Sequence, residues 1–395
     1  MKKSLFITAV LATTISFASC NKTKTVAQND VITTIVKPIV DNPITDGNTK
    51  IQVALLLDTS GSMDGLIEQA KSRLWNIVNT LTTLKYEGKN PDIEISLYEY
   101  GNAGLSQSSN YIRQIIPLST DLDLISEKLF ALSTNGGDEY CGAVIQDATK
   151  KLEWGTEINN MKLIYICGNE GFNQGGVNYK ESISDALKNN IFVNTIFCGN
   201  QKEGIDTFWK NGADVGQGKY FNIDSNQIVE YVSTPFDDEI TKCNDKINDT
   251  YINYGAIGHE KKASQMKEDS NAKTISAANM TARALSKSKA VYKNENWDLV
   301  DKAKQDKEIV TKIKKSELPV EYRNKTNDEL KVIISEKTTA RENIKKQISE
   351  LAKKRQNYID TDAKKAAKTT KDDLGNAINS SIISLAKVKG YTVEN

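Results

Sequence analysis

One stretch of sequence decides the fold: Ile51-Gln52-Val53-Ala54-Leu55-Leu56-Leu57-Asp58-Thr59-Ser60-Gly61-Ser62. It begins as an almost unbroken apolar run, which is typical of a strand buried on both faces of a sheet. Apolar residues then recur at spacings of three and four, which predicts a helix: Leu66, Ile67, Ala70, Leu74, Ile77, Val78, Leu81 and Leu84. A buried strand, a short polar loop and an amphipathic helix together predict the first unit of an α/β sheet.

The same alternation continues to about residue 233. Short apolar runs predict further strands at 93–100, 111–116, 162–167, 191–198 and 219–223. Helical spacing between them predicts helices near 121–131, 141–152, 179–189 and 204–211, with Asp121 as an N-cap. We therefore expect a doubly wound, mostly parallel sheet over residues 51–233, with helices on both faces.

The loop that follows the first strand carries ligand chemistry. Asp58, Ser60 and Ser62 offer one carboxylate and two hydroxyls on alternating residues, and Gly61 permits a tight turn between them. In an open α/β sheet, ligands bind at the carboxyl ends of the strands, where this loop would lie. Hard oxygen ligands favour Mg²⁺, with Mn²⁺ or Ca²⁺ as substitutes.

This loop resembles the Asp-x-Ser-x-Ser motif of von Willebrand factor type A (vWA) domains, where it forms a metal-ion-dependent adhesion site. The resemblance covers about residues 51–233 and implies two more contributions, a threonine from a second loop and an aspartate after a later strand. Here Asp138 occupies the threonine position and Asn169 the aspartate position. We expect Asp138 to bind the metal and Asn169 to act through water, although Thr134 is an alternative ligand.

A site altered in this way has a functional consequence. If Asp138 binds the cation directly, the ion is held more firmly but is a weaker acceptor for an acidic side chain from a partner. The loop at 168–176 also resembles a segment found in a bacterial exported lipoprotein subgroup of this family whose function is uncharacterised. The residues Glu139, Glu170, Phe172 and Gln174 are therefore a candidate partner-binding loop, with an ordinary turn as the alternative.

The N-terminal sequence predicts export. Lys2 and Lys3 precede an apolar stretch at 5–17, which is too short to span a bilayer. The segment then ends in Ala18-Ser19-Cys20, which resembles a lipobox, so Cys20 is a candidate lipidation site; a plain cleaved signal peptide is the alternative. We expect a signal peptide at 1–20, a flexible tether at 21–50 and a lipid-anchored protein of the bacterial cell envelope, facing the periplasm or in the outer membrane.

Beyond the predicted sheet, residues 234–395 are rich in lysine, alanine and asparagine and have few strand signals. Two thin apolar stripes stand out, one at Ile344, Ile348 and Leu351 and the other at Leu374, Ile378, Ile382 and Leu385. Stripes this narrow favour paired helices, including a coiled coil, over an independent core.

Composition excludes several classes of function. Lys and Arg number 52 and Asp and Glu 51, so the net charge of +1 gives no strong field to attract nucleic acid. His259 is the only histidine, and we expect it at the surface, which leaves no base for a nucleophilic triad. Cys141, Cys167, Cys198 and Cys243 follow no disulfide or zinc spacing and are expected to be buried apolar residues. The sequence therefore predicts a protein that is not an enzyme.

Two hypotheses of function remain from the sequence. In the first, the chain is a metal-dependent binding module for adhesion or assembly, which engages a protein partner in the envelope. In the second, it is a structural or assembly factor that acts through the helical tail, and the metal only stiffens the domain.

Overall fold

The computed structural model describes residues 49–226, 231–366 and 374–393, without the side chains of 362–366. The expectations for the signal peptide, for Cys20 and for nearly all of the tether lie outside these residues. Among the described residues, no helix combines the length and the apolar character needed to cross a bilayer.

Helices and strands alternate through the first half of the described chain. The elements up to the last long strand are, in order, β1 Lys50–Asp58, α1 Asp64–Thr82, β2 Leu84–Lys85, β3 Asp92–Tyr100, β4 Ile112–Ser119, α2 Leu122–Phe130, α3 Cys141–Lys151, β5 Met161–Gly168, α4 Tyr179–Lys188, β6 Ile191–Cys198, α5 Gln201–Asp206, α6 Trp209–Val215 and β7 Gln217–Ile223. The rest is almost entirely helical: α7 Asp237–Asn248, α8 Gly258–Ile275, α9 Ala277–Ser288, α10 Leu299–Gln305, α11 Ile309–Lys312, α12 Asn327–Ala366 and α13 Leu374–Val388, then β8 Thr392–Val393.

Six strands of the described chain form one sheet in the order β4-β3-β1-β5-β6-β7. Every neighbouring pair is parallel except β3 and β4. The doubly wound, mostly parallel α/β sheet is thus confirmed. Asp58 is paired with Tyr100 and Leu57 with Cys167, so β1, β3 and β5 end side by side. We call this end of the sheet, with the loops that follow these strands and the loop before α3, the metal edge.

Strand β1 is mostly apolar because both of its faces are covered. Leu56 points into a core with Val144 of α3 and Ile183 of α4, whereas Leu55 points into the opposite core with residues of α1 such as Leu74. This is the arrangement expected for a central strand of a parallel sheet. Asp121 caps α2 as predicted, its side chain accepting a hydrogen bond from the Leu124 N–H at 3.0 Å.

The helical region is not a separate tail. Helix α13 lies against α1 and against strands β5, β6 and β7. Its buried Ile378 and Ile382 belong to the same core as Leu163 and Tyr165 of the sheet. The composition change near residue 233 therefore marks where helices α7 to α12 begin, but the sheet layer is completed only by α13.

The long helix α12 also packs differently from a coiled coil. It contacts α7, α9, α10 and α11 in turn, rather than one partner of matching length. Its predicted stripe is used in these contacts, because Ile348 and Leu351 are buried. The second predicted stripe, on α13, faces the sheet and α1 rather than another helix of the C-terminal region.

The two ends of the described chain meet. The Tyr391 hydroxyl donates to the Asn159 carbonyl at 2.9 Å and lies 3.4 Å from the Lys50 carbonyl oxygen. Nearby, β8 pairs with β2 in antiparallel orientation. Both ends therefore lie at the amino end of β1, opposite the metal edge.

Several smaller expectations can be compared with the fold. The helix predicted at 204–211 is two helices, because Phe208 has a left-handed backbone (φ 73°) that interrupts it. Cysteines 141, 167, 198 and 243 are all buried and free, as expected. His259 is exposed, also as expected.

Candidate metal site at the edge of the sheet

The first loop of the site is shaped by Asp58. This residue ends β1, is fully buried, and accepts a hydrogen bond from the Ser60 N–H through its Oδ1 at 2.7 Å. The Ser60 and Ser62 hydroxyl oxygens lie 3.4 Å apart. The structure therefore brings together the three oxygen-bearing side chains that the motif predicts.

A second loop is fastened to the first through backbone groups. The Asn135 N–H donates to the Thr59 carbonyl at 2.9 Å, and the Asn102 side chain donates to the Ser133 carbonyl at 3.0 Å. Gly137 packs so closely that a β-carbon there would lie 2.6 Å from the Gly101 carbonyl oxygen. These contacts fix which residues of the second loop face the site.

The inward-facing acid of this loop is Glu139, and the prediction for Asp138 is wrong. Glu139 is only 4% exposed, and its carboxyl lies within hydrogen-bonding reach of the Asp58 carboxyl and the Ser60 hydroxyl. Asp138 is exposed and accepts a hydrogen bond from the Tyr140 hydroxyl at 3.0 Å. Neighbouring residues of an extended segment point to opposite sides, so only one of these two acids faces the site.

The alternative ligand Thr134 is also placed elsewhere. Its hydroxyl donates a hydrogen bond to the carboxylate of Asp64, in the first turn of α1. Thr134 therefore links the second loop to α1 and contributes no oxygen to the space beside Asp58.

The third loop begins where β5 ends. The Asn169 side-chain amide donates to the Ser62 hydroxyl at 3.1 Å, which connects the third loop to the first. Gly168 allows this approach, because a β-carbon there would lie 3.0 Å from Asp58 Oδ2. Asn169 thus lies beside the site, and its action on a metal through water stays a prediction.

The candidate partner-binding residues divide into two groups. Phe172 is fully buried against Tyr179 and Trp209, with ring centroids 5.1 and 4.9 Å away, and Glu139 faces the site. Phe172 and Glu139 are therefore not available to a partner at the surface, because Phe172 is packed in the core and Glu139 points into the site. Glu170 is exposed and Gln174 partly so, and the Gln174 amide donates to the Glu170 carboxylate at 3.3 Å.

The site has an excess of acceptor oxygens. Asp58 Oδ2, Glu139 Oε2 and Asn169 Oδ1 are buried, and no hydrogen-bond donor satisfies any of them. Burial raises the pKa of Asp58, and burial together with the Asp58 carboxyl raises the pKa of Glu139 to about 9. Two carboxyl groups this close can hydrogen-bond to each other only when one of them is protonated.

A divalent cation fits this set of oxygens. It would satisfy the orphaned acceptors and would stabilise both carboxylates in their charged form. Within the part of the chain that the structure describes, no three side chains of His, Cys, Asp or Glu converge on one point. The candidate ligands are therefore two carboxylates with hydroxyl and amide oxygens, a hard set that favours Mg²⁺, Mn²⁺ or Ca²⁺.

Comparisons with known proteins find similarity among solved structures. No protein-family model and no curated protein matches the chain. Three solved structures are similar over part of it: a von Willebrand factor type A protein from Catenulispora acidiphila, an aerotolerance-related membrane protein from Bacteroides fragilis, and proximal thread matrix protein 1 from the mussel byssus with a zinc-occupied MIDAS motif.

The three similarities are low in identity and cover less than half of the chain. The Catenulispora acidiphila protein is 16% identical, and the match covers 44% of this chain and 39% of that one with a TM-score of 0.33. The Bacteroides fragilis protein is 17% identical, and the match covers 45% of this chain and 93% of that one with a TM-score of 0.32. The mussel protein is 12% identical, and the match covers 46% of this chain and 43% of that one with a TM-score of 0.35. The fold itself is given by the strand order of the sheet and by the loops at the ends of β1 and β5. The sheet region is vWA-like. Similarities this low do not indicate an activity, a metal or a partner for this chain.

Sequence reasoning missed several residues that build the site of the vWA-like region. Besides the inward position of Glu139, these are Gly101 and Asn102, which follow β3 and hold the second loop, and Tyr100, whose hydroxyl donates to the Cys167 carbonyl at 2.9 Å. The available signal was the Tyr-Gly-Asn sequence at the end of a predicted strand, where a glycine and an amide commonly form a tight turn.

Proposed function

We propose that the vWA-like region is a metal-dependent binding module for a protein partner in the cell envelope. The observation that supports this most is the set of three buried acceptor oxygens, on Asp58, Glu139 and Asn169, that have no donor. Buried polar groups are nearly always satisfied, and leaving one unsatisfied costs about 1–3 kcal/mol. Three such groups from three loops at one edge of the sheet support a cation site there.

The residues that would hold the cation can be named. Asp58, Ser60, Ser62 and Glu139 are the candidate direct ligands, and Asn169 is a ligand directly or through water. When bound, the cation would supply a Lewis-acidic point that accepts an oxygen atom from the partner. Mg²⁺ is the candidate ion, and Mn²⁺ or Ca²⁺ could take its place with the same oxygens.

The chain's own contribution is a preformed shape. The backbone hydrogen bond from Asn135 to Thr59 and the side-chain bond from Asn169 to Ser62 hold the three loops together without help from a ligand. Phe172 anchors the third loop in the core below. Preorganisation of this kind lowers the entropic cost of binding, which supports a binding role.

The proposal includes export and anchoring. Lys2, Lys3 and the apolar stretch that follows support an export signal, and Cys20 supports attachment to a membrane through a lipid. It includes no catalytic step, because a binding role requires none. The alternative, in which the helical region makes the essential partner contacts, is weakened by the use of its apolar stripes in packing against the rest of the chain.

Titration with Mn²⁺, followed by its electron paramagnetic resonance signal, tests the site. We expect saturable binding at one site in the wild type and at least a tenfold loss of affinity in Ser60→Ala and Glu139→Gln. Asp138→Asn is the matched comparison, because it removes the neighbouring charge from the surface, and we expect its affinity to stay within about threefold of the wild type. The ligand set would be contradicted if Glu139→Gln kept its full affinity for Mn²⁺, or if Asp138→Asn lost more than about threefold.

Partner capture can then be tested in the full chain. Ser60→Ala should abolish capture of a protein partner by the intact, folded chain if the metal edge is the binding surface. Capture that is unchanged in Ser60→Ala would instead favour the helical region as the binding surface.

A further inference from the structure

The metal edge carries acidic residues and no basic ones. Its four loops are residues 58–65, 101–111, 133–140 and 168–178. They contain five acidic side chains, Asp58, Asp64, Asp138, Glu139 and Glu170, and no Lys, Arg or His. This asymmetry is local, because the whole chain has a formal net charge of +1.

The acidic side chains have two different placements. Asp58 and Glu139 are buried in the candidate metal site, where their two negative charges would equal the charge of one divalent cation. Asp64, Asp138 and Glu170 are exposed around it. With a cation bound, the edge therefore keeps about three negative charges that face solvent.

Two basic groups on neighbouring elements have carboxylate partners of their own. Arg113, on β4 next to the edge, forms an ion pair with the buried Glu99. Lys202, at the start of α5, pairs with Asp206. A carboxylate that approaches the site would therefore meet a cation whose charge is already balanced, within a ring of like charge that costs energy to approach.

The edge also has an aromatic rim. Tyr111 and Tyr140 are partly exposed, with ring centroids 6.1 Å apart, and the Tyr140 ring lies against Gly175, where a β-carbon would be 2.7 Å from it. Tyrosine is enriched at protein interfaces, and its ring face attracts Lys and Arg cations. The aromatic rim and the negative charge of the edge therefore both favour a partner that carries Lys or Arg side chains.

We propose that the metal edge binds a basic protein segment, which places Lys or Arg side chains against Asp138, Glu170 and Tyr140 and a neutral oxygen at the cation. This inference rests on the proposed metal-dependent binding function and specifies the partner for that same site. An acidic segment, in which a carboxylate would reach the cation, is the competing outcome.

Two model peptides of equal length distinguish these outcomes. One alternates Lys and Asn and the other alternates Glu and Asn, and binding of each to the full chain in Mg²⁺ is measured by fluorescence anisotropy. We expect the Lys peptide to bind at least tenfold more tightly than the Glu peptide, with an affinity that falls as salt rises. Removing Mg²⁺ with EDTA should weaken the binding of the Lys peptide, because the asparagine oxygens lose the cation.

Charge-removing variants locate the binding surface. The double variant Asp138→Asn with Glu170→Gln should lose at least tenfold in affinity for the Lys peptide. The matched control, Asp328→Asn with Glu336→Gln on α12, removes the same charge from exposed positions of the helical region and should bind like the wild type. Because the control changes net charge equally, a loss confined to the first variant cannot come from overall charge.

The results separate this inference from the proposed function. If the wild type binds Mn²⁺ but prefers the Glu peptide, binds both peptides equally, binds neither, or is unaffected by the first double variant, the inference is overturned and the metal site stands. If the wild type does not bind Mn²⁺ at all, the proposed function fails and this inference fails with it.

Discussion

Gly101 determines how closely the two buried carboxyl groups of the site can pack. It follows β3 in a left-handed backbone conformation (φ 78°), which glycine adopts at little cost. A β-carbon there would lie 2.8 Å from Glu139 Cγ and 2.9 Å from Asp58 Oδ1. This position therefore has both a backbone and a packing reason to be glycine.

The two reasons can be measured separately. Gly88 has nearly the same backbone (φ 75°), but nothing lies within 4 Å of a β-carbon built there. We expect Gly88→Ala to lower the free energy of unfolding by about 1 kcal/mol, from backbone strain alone. Gly101→Ala should cost at least about 1 kcal/mol more, from overpacking, and should also weaken Mn²⁺ binding. Urea denaturation measures the free energy of unfolding, and Mn²⁺ titration measures metal binding. Equal losses of unfolding free energy in the two variants would show that the side chains around Gly101 move enough to accommodate the added carbon.

The pKa of Glu139 predicts how stability depends on pH in the metal-free protein. The folded value of about 9 lies above the ordinary value of 4.5, so between these pH values the folded state holds a proton that the unfolded state has released. The free energy of unfolding should therefore fall as pH rises through this range, by at most about 1.4 kcal/mol per pH unit. Denaturation of the EDTA-treated protein at pH 5 and pH 8 should show the fall. Glu139→Gln should reduce it, whereas an unchanged slope in this variant would assign the effect to other groups.

For single residues, the sequence predicted which residue types form the site better than it predicted which way each side chain points. Asp58, Ser60 and Ser62 follow a buried strand directly, so their side chains had to gather in one loop. The choice between Asp138 and Glu139 depends instead on the contact of Gly137 with the Gly101 backbone, which joins residues far apart in the chain. The local sequence cannot determine which of two adjacent acids points inward.

Among the elements, α13 is the one whose place the sequence did not indicate. Its apolar stripe predicted a partner correctly, but the partner is the sheet rather than a helix of the same region. The Ser381 hydroxyl donates to the Asn194 side-chain oxygen on β6 at 2.6 Å, and the Tyr165 hydroxyl lies 3.4 Å from the Ile378 carbonyl oxygen. Helix periodicity shows that a face is buried but not what buries it.

We expect the sheet region to depend on α13 for stability. Ile382 is fully buried against the sheet, so Ile382→Ala should lower the free energy of unfolding by about 2–5 kcal/mol. Val388, at the end of the same helix, is 62% exposed, and Val388→Ala should change it by less than about 0.5 kcal/mol. Thermal denaturation of both variants makes the comparison. Similar small effects would mean that α13 is dispensable and that a boundary near residue 233 is adequate.

The elements that were predicted well are those with strong local patterns. Strands β1, β3, β5 and β6 agree with their predicted bounds to within one or two residues, because each is rich in apolar residues and almost entirely buried. The helix predicted at 204–211 was less accurate, since the left-handed Phe208 that divides it depends on tertiary packing.

In the molecule as a whole, a buried charge network joins the sheet region to the helical region. Arg283 on α9 is fully buried and pairs with Asp123 on α2 at 2.8 Å and with Asp269 on α8 at 2.5 Å. Its guanidinium also lies 4.6 Å from the Trp75 ring centroid on α1. Lys287 and Arg283 hold the pKa of Asp269 well below its ordinary value, although burial alone would raise it.

Loss of this arginine should be costly. Arg283→Met leaves Asp123 and Asp269 buried without the guanidinium that both of them contact, and we expect a loss of about 3–5 kcal/mol in the free energy of unfolding. Lys304→Met is the control, because Lys304 is 39% exposed in its pair with Glu342 and such pairs contribute less than about 1 kcal/mol. Urea denaturation at pH 7 measures both. A mild effect at Arg283 would indicate that water reaches the network.

The meeting of the chain's two described ends near Lys50 has a mechanical consequence. Strand β1 runs from this point to Asp58, about 26–27 Å away at the rise of a parallel strand, and is hydrogen-bonded to β3 on one side and β5 on the other. Tension between a captured partner and the preceding chain would therefore act along the strand axis and load both ladders in shear. Their hydrogen bonds would have to rupture together rather than unzip one at a time, so the central strand is suited to withstand pulling.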